Sequence, residues 1–168
     1  TQKQALNLGI YGADLGYVNM YNDVQYSVRY LEAVKALATK LNIGQFFDFE
    51  ALKNLDKMSE AEIIQVTTRS FEEMNRDLAE KNRDNISILI LAGGWIESLH
   101  LANQVMQQKP YDAIKERIGD QKFVLRELMV LLEVGVDDKF FEDLYKRFRE
   151  LNRIYEAEVE VRKVEGET

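Results

Sequence analysis

The chain has 168 residues, 46% of them apolar, which is enough to bury a sizeable core as one domain. Its net charge of −7, with no basic cluster, argues against a phosphate-reading nucleic-acid surface and against an electrostatic hold on anionic membranes. The absence of cysteine excludes disulfides, thiol catalysis and cysteine metal sites, and a single proline favours long helices over a turn-rich β fold.

The first helix is predicted over residues 1–21. Ala5, Gly9, Gly12, Ala13, Gly16 and Met20 fall on one face of it. Small side chains at this spacing let a second backbone approach closely. The opposite face carries Ile10, Tyr11, Asp14, Tyr17, Val18 and Tyr21, so Asp14 is an acid set among rings and aliphatics. Asn22 or Asp23 caps a second helix running to about Leu41, with Tyr26, Tyr30, Ala33, Val34 and Leu37 on its apolar face and Gly44 as its C-terminal cap. Residues 45–58, with Phe46, Phe47 and Phe49, read as one short helix that points Leu52 and Leu55 inward. Ser59 and Glu62 then form a capping box for a helix reaching about Asn82, striped by Ile63, Thr67, Phe71, Met74 and Leu78.

A central helix is predicted over about residues 84–107, capped by Asp84. Its first half is apolar all round, the mark of a buried helix. The uninterrupted apolar run is shorter than the ~20 residues a bilayer requires, which argues against a membrane span. Gly93 and Gly94 each cost about 1 kcal/mol relative to alanine in a helix interior. They make sense as the seat for the small-residue stripe of the first helix. Lys109-Pro110 separates this helix from the next, which Gly119-Asp120 is expected to interrupt and Gly135 to end. Asp137 or Asp138 caps a last helix with Phe141, Leu144, Phe148, Leu151 and Tyr155 inward. The charged tail from Val159 is expected to fray. The sum is an all-α protein, an antiparallel helical bundle or array of six to seven helices in a single domain over residues 1–168.

Two clusters carry candidate chemistry. Glu97 and His100, one turn apart on the central helix, share a face and suit a polar or metal site. A structural hydrogen bond at the edge of a core is the more ordinary use of such a pair. The second histidine that a carboxylate-bridged di-metal bundle needs does not exist in this chain. Asp14 with Tyr11, Tyr17 and Tyr21 suits an amine or sugar, or a general base; the alternative is an acid satisfied by phenols or by Arg29. Five of the eight tyrosines lie in residues 11–30, an aromatic wall of the kind that also binds glycans or peptides. Ser98 points to a different helix face from His100, so no nucleophile–His dyad forms. P-loop, GxSxG, HExxH and dinucleotide patterns are absent from the sequence. No cofactor and no metal are expected. The candidate ligand-binding residues are Glu97, His100, Asp14, Tyr11, Tyr17 and Tyr21.

The stretches LNLGIYGADLGYVNMYN (6–22) and LAGGWIESLHLA (91–102) resemble an all-helical family of cell-envelope lipoproteins from Bacteroidetes-type bacteria. The resemblance implies an exported protein of the periplasm or cell envelope, lipid-anchored through a segment upstream of Thr1. It implies no activity, and no catalytic residue carries over. The expectation is a non-enzymatic binding or scaffold module of the envelope, with a protein, peptide or glycan as partner. The alternative is a small-ligand or metal-dependent enzyme built around Glu97, His100 and Asp14.

Overall fold

A computed structural model of the chain describes residues 1–21 and 23–160, without the side chains of Val24 and Glu60. Asn22, the alternative cap of the second helix, and the charged tail beyond residue 160 lie outside the described residues. Those residues form seven α-helices and two 3-10 turns, with no strand among them. The helices are α1 (Gln2–Met20), α2 (Val24–Lys40), α3 (Phe49–Lys53), α4 (Glu60–Glu80), α5 (Asp84–Gln108), α6 (Asp112–Glu133) and α7 (Lys139–Glu158). This is the all-α array that the 3.6-residue periodicity predicts. Contacts gather into two compact units, Thr1–Ser98 and Leu99–Thr168.

In the first unit α1 packs along α2, burying Ala5, Leu8 and Leu15 from one and Val34 and Ala38 from the other. The Asp23 carboxylate caps α2 by accepting the Tyr26 N–H at 3.2 Å. α2 does not end on Gly44. Asn42 takes the left-handed conformation (φ 56°), and the Ile43 N–H reaches back to the Ala38 carbonyl at 3.0 Å. Asparagine is the residue other than glycine that most readily accepts this conformation. α4 ends in the same way at Asn82 (φ 54°), with the Arg83 N–H on the Leu78 carbonyl at 2.7 Å. The Arg83 guanidinium then donates to the Leu41 carbonyl at 2.8 Å, tying the two helix ends together.

The single short helix expected over residues 45–58 is instead three pieces: a 3-10 turn at Gly44–Phe46, α3, and a second turn at Leu55–Lys57. Asp48 is the reason. Its carboxylate accepts the Ala51 N–H at 2.9 Å, which starts a new helix five residues long that Asn54 ends. The Ser59–Glu62 capping box forms as the sequence predicts.

The glycines of α1 and α5 meet. A Cβ on Gly9 would collide with the Ile90 carbonyl oxygen and lie 2.6 Å from the Gly94 nitrogen, and one on Gly93 would collide with the Leu6 carbonyl oxygen. The two backbones therefore touch at a crossing that only glycine permits. Beside it, Ile86, Leu89 and Ala92 of α5 are buried. By length and composition alone α5 would be apolar enough to cross a membrane, a test that the core helix of a soluble protein also passes.

In the second unit α6 packs on α7, with Leu125, Leu128 and Leu132 buried on one and Phe141, Phe148 and Tyr155 on the other. α6 runs unbroken through Gly119-Asp120, against the expected interruption. Each buried leucine contributes about 1.5–3 kcal/mol, so three outweigh the ~1 kcal/mol cost of one helical glycine. The Tyr155 hydroxyl donates to the Ile118 carbonyl at 2.9 Å, and Lys122 pairs with Glu156 at 3.2 Å. Asp138 caps α7 through the N–H groups of Phe140 and Phe141.

Candidate functional site

The polar residues singled out from the sequence separate into three places. Asp14 and Tyr11 are half-buried on α1, and the Tyr11 ring lies 6.0 Å from that of Tyr30 on α2. The Tyr30 hydroxyl is hydrogen-bonded to Asp14. Burial, then the charge and hydrogen bond of Asp14, and then the nearby charge of Glu97 hold the Tyr30 phenol above its ordinary pKa. Asp14, Glu97, Tyr11 and Tyr30 therefore form one neighbourhood in the first unit, and a phenol satisfies the acid. Arg29 lies over the Tyr26 ring at 5.7 Å. Tyr17 and Tyr21 form a separate pair at 4.9 Å, and the hydrogen bond that the Tyr17 hydroxyl donates to Tyr21 raises the Tyr17 pKa. His100 stands one turn beyond Glu97 on the unbroken α5 and is exposed, past the boundary between the two units. No group of three or more His, Asp or Glu side chains among the described residues is placed to hold a metal ion.

A large concave feature of the first unit lies elsewhere. A partly open cavity of about 780 Å³ lies among α1, α4, α5 and the segment joining α2 to α4. Gly12 and Gly16 give α1 a bare wall there: a Cβ built on either would meet nothing within 4 Å. α4 contributes Ile63 and Phe71, α5 contributes Leu91 and Trp95, and the joining segment contributes Phe47, Leu52 and Leu55. None of the six residues named as candidates from the sequence lines this space.

Why the cavity exists follows from the helices that frame it. The small-residue stripe of α1 spans about four turns, but helices crossing at an angle stay in contact only near the crossing point. α5 uses Leu6, Gly9 and Ile10, and leaves Gly12 and Gly16 uncovered. The apolar stripe of α4 divides in the same way. Met74 and Leu78 are fully buried, while Ile63 and Phe71 are half-buried and face the cavity. Two of the polar residues on the wall are engaged locally, Thr67 by donating to the Ile63 carbonyl at 2.7 Å and Asp48 by capping α3, and Thr68, Ser70, Glu72 and Ser98 complete its polar part. A surface of this kind recognises by apolar area and shape, and its volume lies within the roughly 300–1,000 Å³ of small-molecule sites.

Sequence reasoning misses Tyr30, which reads as one more residue of an apolar helix face. It also misses the cavity wall. The available signal was a glycine stripe longer than one crossing can use, facing an α4 stripe of the same length.

Fold and site together define an all-α helical array whose first unit contains an apolar, ligand-sized cavity. Comparison with family models, with curated proteins and with solved structures finds no match to this chain.

Proposed function

We propose that the chain is a non-enzymatic binding module that holds an apolar small molecule in the cavity of its first unit. The observation that carries this reading is the 780 Å³ cavity, with Trp95, Phe71 and Phe47 on its wall opposite two bare glycines. Gly12 and Gly16 each cost α1 about 1 kcal/mol of helix propensity. Unlike Gly9, neither recovers it through contact with another helix. A ligand lying flat against the α1 backbone gives both a purpose. Burial of apolar ligand surface at about 25 cal/mol per Å² supplies the affinity without a polar anchor in this cavity.

The test is titration of the full chain with a fluorescent apolar probe such as 1-aminoanthracene. Saturable binding of one probe per chain is expected, and it should be lost in the double variant Gly12→Leu/Gly16→Leu, whose side chains fill the space. Circular dichroism of the variant separates a blocked cavity from an unfolded chain. An absence of saturable binding, or unchanged binding in the folded double variant, contradicts the reading. We further place the protein in the cell envelope, on the resemblance carried by residues 6–22 and 91–102. Fractionation of cells expressing the complete gene tests that placement, and a cytoplasmic result would remove it.

A further inference from the structure

We infer that the ligand of the first unit is a long-chain carboxylate, its tail in the large cavity and its head in a second, polar cavity beside Asn19. The inference rests on the apolar-ligand reading of the large cavity. The second cavity has a volume of about 240 Å³ and lies where the end of α1 meets α2 and the α3 segment. Leu15 and Leu52 line both spaces, so the two adjoin at these side chains. Leu52 is half-buried on the five-residue α3, and a ligand spanning both cavities requires its side chain to turn aside.

The chemistry of the small cavity differs from that of the large one. Asn19 lines it, is 8% exposed, and its side-chain amide nitrogen has no acceptor in the protein. Buried amide nitrogens almost always find an acceptor, so an unmatched one calls for a partner. Lys53, Lys57 and Ser27 add donors around the same space, and Asp56 offsets only one of the two ammonium charges. The Lys57 ammonium donates to the Asn54 side-chain Oδ1 at 3.1 Å. Excess donors and net positive charge call for an acceptor that is itself an anion. A carboxylate offers one oxygen to the Asn19 amide and the other to a lysine, the stronger charge-assisted kind of hydrogen bond. An alcohol or ester head offers the lysines no charge to pair with.

Displacement of the bound apolar probe from the full chain by dodecanoate and by 1-dodecanol separates the possibilities. Dodecanoate should displace it at about tenfold lower concentration, a difference of one charge-assisted bond. The variants Asn19→Leu and Lys53→Gln/Lys57→Gln should remove that preference and keep the affinity for dodecanol. The two lysines are exposed, so their variant keeps the test valid if Asn19→Leu does not fold. Equal displacement by both compounds overturns the carboxylate inference and leaves the apolar reading standing. Displacement by neither overturns the apolar reading and the inference with it. A preference that survives both variants removes the head from the Asn19 cavity.

Discussion

At the scale of single residues, the glycines of α1 show that one residue type can serve opposite purposes on one helix. Gly9 is required because the α5 backbone occupies the place of its missing side chain, whereas Gly12 and Gly16 face open space. Gly9→Ala should therefore destabilise the protein by about 3 kcal/mol, as overpacking against rigid backbone does. Gly12→Ala should stabilise it by up to about 1 kcal/mol through helix propensity alone. Chemical denaturation of the two variants reads the difference, and equal signs would show that the crossing has been misplaced. Tyr155 offers a second test. Burial raises its pKa above the ordinary tyrosine value, and its hydroxyl donates to the Ile118 carbonyl. The unfolded chain therefore loses this proton at lower pH than the folded one. The stabilisation is complete below pH ~10, where both states are protonated, and is lost as pH rises through the folded value. Melting temperatures measured from pH 8 upward should fall more steeply for the native chain than for Tyr155→Phe, and parallel curves would count against this role. Tyr30, raised by burial and by Asp14, acts in the same direction in the first unit.

At the scale of elements, helix ends organise the first unit as much as helix faces do. Asn42 and Asn82 close α2 and α4 in the same left-handed turn, and Arg83 binds the Leu41 carbonyl next to the first of them. Asn42→Ala places a Cβ-bearing residue without a compensating polar group in that conformation and should cost about 1–2 kcal/mol, whereas Asn42→Gly should be neutral or slightly stabilising. Thermal unfolding compares the two, and an alanine variant as stable as the glycine one would contradict the assignment. Elements governed by local rules are the ones legible in the sequence. The Ser59–Glu62 box, the Asp138 cap and the apolar period of α7 need only residues within a turn or two of one another. The C-terminal cap of α2 and the course of α6 were not legible in this way. Gly44 and Gly119 look like stops, but an asparagine supplies the left-handed turn in one case and tertiary burial overrides propensity in the other. The α1–α5 crossing was legible because mutual close approach needs glycine on both partners. The cavity was not, since the same glycines serve a contact at Gly9 and an open space at Gly12, and only the crossing point decides which.

At the scale of the whole molecule, the chain divides into a first unit that contains the cavity and a second built from α6, α7 and the end of α5. Function, on the reading proposed here, belongs to the first. Ligand that binds only the folded state stabilises by about 2.7 kcal/mol at a hundredfold excess over its dissociation constant. Hydrogen exchange under saturating dodecanol should therefore slow in α1, α4 and the first half of α5 more than in α6 and α7. Equal slowing throughout, or protection centred on α6, would move the site elsewhere. Trp95 is the only tryptophan in the chain and lines the cavity, so its fluorescence reports directly on occupancy. Titration of the full chain with dodecanol should shift Trp95 emission to shorter wavelength, saturating at one ligand per chain, and the folded Gly12→Leu/Gly16→Leu variant should show no such shift. Emission that does not respond, or that responds equally in the filled variant, would contradict an apolar ligand in this cavity.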